Sequence, residues 1–352
     1  MPELPEVETV ARDLRPLITG ATIVDATTSW PRTLRSLTPE AFADGIAGRR
    51  VEAVGRRGKQ VVVELSGGAL LTIHLKMTGQ LFVVPQGRDP DPYVRLVLAL
   101  EDGREIRFRD IRKFGRVGLY LADDDPFAKV GPEPLSDAFT VGAFRRRLRA
   151  RKGRLKRLLL DQSFVAGVGN IYADEALWAS RLHPLRTART LRPADERRLW
   201  LEIRRILTEA VIRRGSSIDD YTAPEGDGEM QDDLAVYQRT AEPCLRCGRP
   251  IRRIVVGGRA THFCSWCQRL PAGDRAGARA ILRTITVPER TGRRWSELPD
   301  GEGSVGRPKE GRRDGGGRRG DADAADVRAA RADRTRRAAA TRRAAARASA
   351  GG

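Results

Sequence analysis

The chain has 352 residues, 40% of them hydrophobic, and its 65 Lys and Arg against 46 Asp and Glu give a net charge of +19. This length allows two domains and a tail, and no apolar run approaches the roughly 20 residues that span a bilayer, which argues against a membrane protein. The basic surplus favours nucleic acid as a partner, although a genome rich in G and C also favours Arg.

The first residues, MPELPEVETV, contain neither the basic segment nor the apolar core of a secretory signal. We therefore expect a cytoplasmic location. In that reducing compartment the four cysteines are more available to a metal than to disulfide bonds.

Residues 3–16 predict an opening helix, because Leu4, Val7, Val10 and Leu14 fall on one face. Between about 20 and 122 the sequence changes to short β-rich runs separated by turn signals, which predict a sandwich. The runs occupy residues 61–65, 69–75, 81–84, 95–100, 104–108 and 117–121.

The segment GPEPLSD at 131–137 has the composition of a linker, and helices are predicted from there to about 214, near 154–162, 170–181 and 193–213. The glycines of VAGVGN at 165–170 end one helix, and Asn170 can cap the next. Beyond about 290, Gly, Arg, Ala and Asp dominate, and such a segment cannot bury enough apolar area to order itself. This tail either adds non-specific DNA affinity or is a passenger.

Two C-x-x-C pairs near the end of the predicted fold form a four-thiolate zinc pattern: Cys244, Cys247, Cys264 and Cys267. Four protein ligands leave no open position, so we expect one structural Zn²⁺ rather than a catalytic one. The connector IRRIVVGGRATHF predicts a hairpin with two glycines at its tip. Arg259 stands beside that tip, where it either meets a phosphate or is an ordinary exposed charge.

The N-terminus offers a nucleophile. A small second residue allows removal of Met1, which would expose Pro2 as a secondary amine. An α-amino group has a pKa of about 8, and a helix N-terminus lowers it further, so the free amine can attack a sugar C1′ and form a Schiff base. Glu3 is an acid or base within reach of the same sugar. The same residues also fit an ordinary helix start.

Together the motifs resemble the formamidopyrimidine-DNA glycosylase family, the oxidised-purine branch of the Fpg/Nei superfamily. They cover residues 1 to about 269 in order: PELPEVETV at 2–10, GRRGKQVVVEL at 55–65, HLKMTGQL at 74–81, RDIRKFG at 109–115, GPEPLS at 131–136, LLLDQSFVAGVGNIYADEALW at 158–178 and the cysteine module. The resemblance implies an α+β fold with a β-sandwich domain and an opening helix at 1–130, a helix-two-turn-helix domain with a lesion-recognition loop at 131–233, and a four-cysteine zinc finger at 234–269. The tail at 270–352 lies outside the resemblance, and its composition predicts a basic, disordered segment.

The resemblance implies a bifunctional DNA glycosylase and AP lyase that removes oxidised purines, including 8-oxoguanine and formamidopyrimidines, from double-stranded DNA. Pro2 matches the Schiff-base nucleophile, and Glu3 matches the acid that assists base loss. Lys59 matches the β-elimination lysine and Arg259 the δ-elimination arginine. The family leads us to expect a monomer that needs no redox cofactor or nucleotide.

DNA contacts are also implied. The residues that match those filling the space of the flipped base are Met77, Arg112 and Phe114; we take Gly79 and Gly115 beside them as marks of exposed turns. The residues that match DNA-backbone contacts are His74, Lys152, Lys156 and Asn170. Where the family often has a histidine this chain has Tyr93, and Arg95 is a possible substitute for that contact.

Two other interpretations remain. The first is an endonuclease VIII-like glycosylase for oxidised pyrimidines, a branch that usually has Gly where this chain has Leu4. The second is a zinc-ribbon DNA-binding protein without catalysis, which has no reason to keep Pro2, Glu3 and Lys59 together. The loop at 216–233 covers the region where the family recognises the flipped base, and it is more acidic than the resemblance leads us to expect.

Overall fold

The computed structural model describes residues 1–88, 91–216 and 228–286. Most of the expected lesion-recognition loop (217–227) and of the expected tail (287–352) lies outside the described residues. Among those described, no helix combines the length and the apolar composition that crossing a membrane requires.

The opening helix is confirmed as α1 (Leu4–Ile18). Its first turn is stabilised by the Glu6 carboxylate, which accepts a hydrogen bond from the backbone N–H of Glu3 at 2.8 Å. The face that carries Val7, Val10 and Leu14 is buried against the strands. Burial of this apolar stripe fixes the helix on the N-terminal domain.

The N-terminal domain is an eight-stranded antiparallel arrangement with a short helix, α2 (Pro39–Ile46). The strands are β1 (Thr22–Thr28), β2 (Arg49–Arg57), β3 (Gln60–Leu65), β4 (Ala69–His74), β5 (Gly79–Pro85), β6 (Val94–Leu100), β7 (Arg104–Asp110) and β8 (Arg116–Tyr120). All six predicted runs are strands, whereas β1, β2 and α2 were not individually predicted. The cause is visible in β2, whose RRVEAVGRR sequence carries four arginines.

The strand order is β5-β7-β6-β1-β2-β3-β4-β8. β1 joins β2 through only two residue pairs, so the sheet folds over at this point into the two layers of the expected sandwich. Side chains from both layers share one core, for example Leu98 and Phe108 from one layer with Leu71 and Val117 from the other. Packing between the layers holds the loops at the edges of the sheets in place.

The second domain contains α3 (Val141–Arg149), α4 (Leu155–Leu160), α5 (Asn170–Ala179) and α6 (Pro193–Ile212). Its core is built around Phe139, Phe144, Phe164 and Tyr172, and it also takes in Leu4 from α1. The first residues of the chain therefore belong to the core of the helical domain, while the rest of α1 packs on the sandwich.

The last described module contains a hairpin of β9 (Arg252–Val256) and β10 (Arg259–Phe263), followed by α7 (Ala272–Arg275) and α8 (Arg279–Leu282). Short 3-10 turns occur at Pro31–Thr33, Ser66–Gly68, Ala188–Thr190, Met230–Asp233 and Ala276–Ala278. The expectation that a disordered tail begins at 270 is wrong for residues 270–286. Leu270 and Ala278 are buried against the hairpin, and the Asp274 carboxylate accepts hydrogen bonds from the Thr187 and Thr190 hydroxyls.

Candidate active site and nucleic-acid interface

The start of the chain is bound to the N-terminus of α5. The Glu3 carboxylate accepts hydrogen bonds from the backbone N–H groups of Gly169 at 2.7 Å, Ile171 at 2.8 Å and Tyr172 at 3.4 Å. These are the N–H groups that a helix leaves unpaired at its N-terminus, where its dipole favours a negative charge. Glu3 thus caps α5. The expectation that Asn170 caps this helix is wrong, because the N-cap position is Gly169 and no side chain of the helix caps it.

Gly169 has a steric role at this junction. A Cβ atom placed there would lie 2.3 Å from Glu3 Cδ and 2.5 Å from Lys59 Nζ. A carboxylate and an ammonium therefore lie against the same glycine, and any larger residue would separate them from the helix. This close approach explains the second glycine of VAGVGN better than a turn signal does.

Lys59 lies in the tight turn between β2 and β3 and is 8% exposed. Burial lowers the pKa of its ammonium, against the attraction of Glu3 and Glu6. Burial likewise raises the pKa of Glu3, while the charge of Lys59 opposes that rise. The pair combines a carboxyl that holds its proton more readily than usual with an amine that loses its proton more readily than usual, as proton-transfer groups require.

Glu133, which sequence reasoning missed, holds the turn that carries Lys59. Its carboxylate pairs with Arg56 at 2.7 Å and Arg57 at 2.8 Å and accepts the Gly58 N–H at 2.7 Å. Although burial opposes it, these two guanidiniums keep the pKa of Glu133 below its usual range. The GPEP segment of the linker is therefore a support for the GRRGK turn, a pairing between distant parts of the chain that no local pattern reveals.

Glu6 is a second buried residue that the sequence did not single out. Its carboxylate accepts hydrogen bonds from the Tyr172 hydroxyl at 2.6 Å and from the N–H and hydroxyl of Ser216 at 2.8 and 3.1 Å. It also accepts the Glu3 N–H. One carboxylate thus joins the start of the chain to the residue at which the expected lesion-recognition loop begins.

Pro2 is buried directly before Glu3, with Met1 still attached and half-buried. Its nitrogen becomes an amine only when Met1 is removed. Arg259 lies exposed at the tip of the β9–β10 hairpin, close enough to Lys59 for its charge to lower the pKa of that lysine. The Asn170 side chain donates to the Ala260 carbonyl at 2.9 Å, which ties α5 to the hairpin. The start of the chain, the turn between β2 and β3 and the β9–β10 hairpin therefore bring the expected catalytic residues to one place.

Lys156 corrects one expectation. Its ammonium is fully buried, 2.6 Å from the Asp174 carboxylate, and also donates to the Asn170 carbonyl at 2.9 Å. A group with no exposed surface does not present its charge to a phosphate, so the predicted DNA-backbone contact is wrong for Lys156. Lys152, by contrast, is exposed in the loop after α3.

His74 ends β4 beside a cleft of about 240 Å³ lined by Arg35, Gln60, His74, Lys76, Phe114 and Arg116. Burial and the charges of Lys76 and Lys59 lower the pKa of His74 to about 3. Its Nδ1 accepts the Lys76 N–H at 3.1 Å, which assigns the proton of the neutral ring to Nε2. His74 is therefore a neutral hydrogen-bond donor.

The three residues expected to fill the DNA stack lie on two adjacent loops. Phe114 is 47% exposed, with the Arg112 guanidinium 5.0 Å from its ring centroid, and Met77 is half-buried. The Arg112 N–H donates to the Thr78 hydroxyl at 3.2 Å, which joins the loops.

We expected the two glycines of these loops to mark exposed turns. That expectation is wrong, because both glycines are buried. A Cβ at Gly79 would lie 2.4 Å from the Leu75 carbonyl oxygen, and one at Gly115 would lie 2.3 Å from the Phe108 ring. The exposure of Phe114 therefore rests on close packing beneath the loops and not on open turns.

Tyr93 is 41% exposed and stacks beside the Arg109 guanidinium, 5.0 Å from the ring centroid. Arg95 is only 7% exposed, and its guanidinium donates to the carbonyls of Asp110 and Pro92, each at 2.9 Å. Because these internal bonds occupy Arg95, the structure does not support it as the substitute contact, and Tyr93 is the exposed group at this position.

The four predicted metal ligands come together. Their sulfurs all lie within 4.8 Å of one another, and Cys247 Sγ and Cys264 Sγ are 3.5 Å apart. Tetrahedral zinc with Zn–S bonds of about 2.3 Å separates its sulfurs by about 3.8 Å, so the cluster has the right size. Burial raises the pKa of the Cys264 and Cys267 thiols, and a bound cation would offset that cost of forming thiolates.

Family models match most of the chain. The formamidopyrimidine-DNA glycosylase N-terminal domain matches residues 1–117, the H2TH domain of the same glycosylase matches 130–222, and a zinc finger found in FPG and IleRS matches 241–270. A formamidopyrimidine-DNA glycosylase of Herpetosiphon aurantiacus is 45% identical over 274 residues, which cover 76% of this chain and 100% of the relative. One of Chloroflexus aggregans is 48% identical over 277 residues, 77% of this chain and 99% of the relative.

Solved structures show the same similarity. The MutM (Fpg) protein of Thermus thermophilus is similar with a TM-score of 0.69 and 45% identity, covering 76% of this chain and 98% of that one. The Lactococcus lactis Fpg, solved in complex with DNA containing an abasic site, gives a TM-score of 0.71 and 36% identity, over 76% of this chain and 100% of that one.

Proposed function

The chain belongs to the formamidopyrimidine-DNA glycosylase family, and from that premise we propose that it removes oxidised purines from double-stranded DNA and then cuts the strand at the abasic site. The observation that carries the proposal is the contact of Glu3 and Lys59 with the N-terminus of α5, directly beside Pro2. A non-catalytic DNA-binding protein has no use for a buried carboxyl and amine at its chain terminus.

The first step uses the amine that Met1 removal leaves on Pro2. Its lone pair attacks C1′ of the damaged nucleotide, the bond from C1′ to the base breaks, and the base leaves with the electron pair and a proton. Glu3 supplies the acid function, since burial raises the pKa of its carboxyl. The attacking nitrogen then loses its proton, its lone pair expels O4′ of the sugar ring, and O4′ takes up a proton. The product is an iminium ion (Schiff base) between Pro2 and the ring-opened sugar.

Two eliminations then follow. Loss of a proton from C2′ expels the 3′ phosphate, and a second loss of a proton expels the 5′ phosphate, which leaves a one-nucleotide gap with phosphates at both ends. Lys59, whose pKa is lowered by burial, is the base proposed for the first elimination. Arg259, exposed at the hairpin tip, is proposed to assist the second by stabilising the leaving phosphate.

The DNA interface that we propose follows from the exposed groups around this site. The enzyme must rotate the damaged base out of the stack. We propose that Phe114, Met77 and Arg112 fill the gap, and that Arg112 hydrogen-bonds the orphaned cytosine. The groups proposed to contact phosphates or the DNA backbone are His74, Tyr93, Lys152 and Asn170. The backbone contact of His74 is a neutral hydrogen bond.

The metal that suits the four cysteines is one Zn²⁺ in a closed, structural site. When bound, it would hold the two C-x-x-C turns together and so support the hairpin that carries Arg259. Trp178 contributes from α5 by donating its indole N–H to Cys244 Sγ at 3.4 Å. The zinc finger is thereby attached to the helical domain.

Purine lesions are the preferred substrates in this proposal. Among solved relatives, a mutant of the Lactococcus lactis Fpg was captured with Fapy-dG DNA, and a MutM with DNA containing carbocyclic 8-oxo-G. Residues 217–227, which cover most of the loop expected to recognise the base, lie outside the described residues. Base preference is therefore decided by assay.

The test incubates purified protein with a duplex that carries 8-oxoguanine opposite cytosine, with and without borohydride. We expect phosphate-ended products and a trapped covalent complex. Pro2→Gly, which leaves a primary amine in place of the secondary one, should reduce excision and trapping, and Glu3→Gln should abolish excision. Glu40→Gln, which removes an exposed acid at another helix start, should change neither. Cleavage of a thymine-glycol duplex alone would favour the pyrimidine branch. Binding without cleavage of either duplex would refute the enzymatic proposal.

A further inference from the structure

Helix α5 forms hydrogen bonds with the edge of β10 that faces away from β9, at two points. The Asn170 side chain donates to the Ala260 carbonyl at 2.9 Å, and one turn later the Asp174 carboxylate accepts the His262 N–H at 2.8 Å. Residues four apart on a helix share a face, and backbone groups two residues apart on a strand point to the same edge. The two contacts therefore fix the register of β10 against α5.

The Asp174 carboxylate is held in place from its other side. Oδ1 receives the Lys156 ammonium at 2.6 Å, and neither side chain has exposed surface. The ammonium is itself fixed by the Asn170 carbonyl at 2.9 Å, so the network closes on the same helix. Oδ2 is left to the hairpin, where the His262 ring nitrogen Nδ1 lies 3.3 Å away in addition to the backbone N–H.

The position of this network gives it a functional consequence. Arg259 is the first residue of β10. In the hairpin it pairs with Val256, next to the exposed tip. The hydrogen bonds from α5 to Ala260 and His262 fix the backbone of Arg259 relative to the N-terminus of α5. The α5 N-terminus also holds Glu3 and lies against Lys59, so α5 is the common reference for both ends of the site.

We propose that Asp174, paired with the buried ammonium of Lys156, is a positioning residue that sets Arg259 against the reacting sugar and so governs the second elimination. The inference rests on the proposed function, because Arg259 has that role only in a β,δ-lyase. Loss of the carboxylate charge frees the hairpin edge and leaves the hydrogen bonds from α5 to Glu3 in place. The Lys156 charge is only a minor influence on the pKa of Glu3 and of Lys59. Base excision and the first elimination then continue while the second slows.

The chain offers a matched control in the next residue. Glu175 is also a buried carboxylate on α5, but it accepts the N–H groups of Ala235, Val236 and Tyr237, each at 2.9 Å, and not those of the hairpin. Glu175→Gln therefore removes a buried charge of the same kind from the same helix and leaves β10 bonded.

The experiment uses the full-length, zinc-loaded protein under single-turnover conditions and measures the ratio of δ- to β-elimination products from 8-oxoguanine DNA. For Asp174→Asn we expect this ratio to fall about ten-fold or more, as displacement of a reacting group by about 1 Å commonly produces, with excision within about three-fold of wild type. Glu175→Gln should keep the wild-type ratio. Hydrogen exchange of the His262 amide should accelerate in Asp174→Asn only.

A second variant covers loss of folding. The double substitution Lys156→Met with Asp174→Leu replaces the buried ion pair by an apolar pair, an exchange that folds commonly tolerate, and it should show the same fallen ratio. A wild-type ratio with unchanged His262 exchange in Asp174→Asn would overturn the proposal, as would an equal fall in Glu175→Gln or loss of folding in both Asp174 variants. If the wild-type protein itself does not cut DNA, the proposed function fails, and the exchange data alone still decide whether Asp174 anchors the hairpin.

Discussion

Substitution of Gly169 by Ala tests the central contact of the site with one added methyl group. The new Cβ would lie 2.3 Å from Glu3 Cδ, whereas carbon atoms in contact are separated by about 3.5 Å. The Glu3 carboxylate must therefore move by about 1 Å. Its hydrogen bond to the Gly169 N–H, now 2.7 Å long, would stretch beyond hydrogen-bonding distance.

The magnitude follows from the bonds that are lost. Because the carboxylate moves as one group, its displacement by about 1 Å disrupts both of its short contacts, those from the N–H groups of Gly169 and Ile171. Each charged hydrogen bond contributes about 1.5–3 kcal/mol. After the gain of about 0.4–1 kcal/mol from the smaller backbone entropy of Ala in the unfolded chain, we expect a net loss of about 3 kcal/mol. That corresponds to a melting temperature lower by about 5–10 °C. Base excision should fall about 100-fold or more, because Glu3, the proposed acid, is displaced from its position beside Pro2.

The assay combines thermal unfolding with single-turnover excision of 8-oxoguanine. Gly142→Ala in α3 is the control, since a Cβ there meets its nearest atom at an ordinary 3.7 Å. It should leave excision at the wild-type rate and raise stability by no more than about 1 kcal/mol. The backbone at Gly169 has φ −130°, which Ala also adopts, so only the steric conflict is tested. If Gly169→Ala unfolds and excises like Gly142→Ala, the reasoning that joins Glu3 to α5 is wrong.

Three further predictions concern other parts of the protein. Phe114→Ala should reduce excision from duplex DNA about ten-fold by removing the exposed side chain proposed to wedge between bases. Thermal stability should change by less than about 1 kcal/mol, as for most surface positions, and a larger loss of stability would place Phe114 in the core. Removal of metal by a chelator should abolish DNA binding and lower the melting temperature, with both restored by added Zn²⁺, and binding that survives verified metal loss would exclude a structural site. Burial lowers the pKa of His183 to about 3, so on acidification the unfolded chain takes up the proton before the folded protein does. The contribution of His183 to the free energy of unfolding is therefore fully present above about pH 6.5. It falls by about 1.4 kcal/mol per pH unit down to about pH 3. Urea titrations at pH 7, 5 and 4 should show a smaller fall for His183→Gln, and equal falls in both proteins would contradict this assignment.

The sequence was sufficient for features that depend on local pattern. The spacing of the cysteines predicted a cluster that the structure forms, and the periodicity of residues 3–16 predicted α1. The β-rich runs between turn signals likewise predicted six strands. β2 was not predicted because of its four arginines, two of which, Arg56 and Arg57, form ion pairs with Glu133 and Glu8. A strand that carries several charged residues has the composition of a loop, and its ion-pair partners cannot be recognised from the sequence alone.

Contacts between distant segments could not be read from the sequence. Glu3 caps a helix that begins only at Asn170, and Lys156 reads as an available surface charge until Asp174 is placed beside it. Gly115 had the appearance of a turn residue, yet the Phe108 ring is what excludes a side chain there. In each case the local residue type is compatible with several environments, and only tertiary packing selects one.

The bond between Glu3 and α5 also constrains the order of events during synthesis. The residues that bind Glu3 and Leu4 are 167, 169, 171 and 172, so a ribosome must release about half of the polypeptide before these two residues can make those bonds. Until then Met1 is accessible, whereas in the finished fold Pro2 is buried and Met1 is half-buried. We therefore expect the removal of Met1 that the proposed mechanism requires to take place on the nascent chain, before the fold buries Pro2.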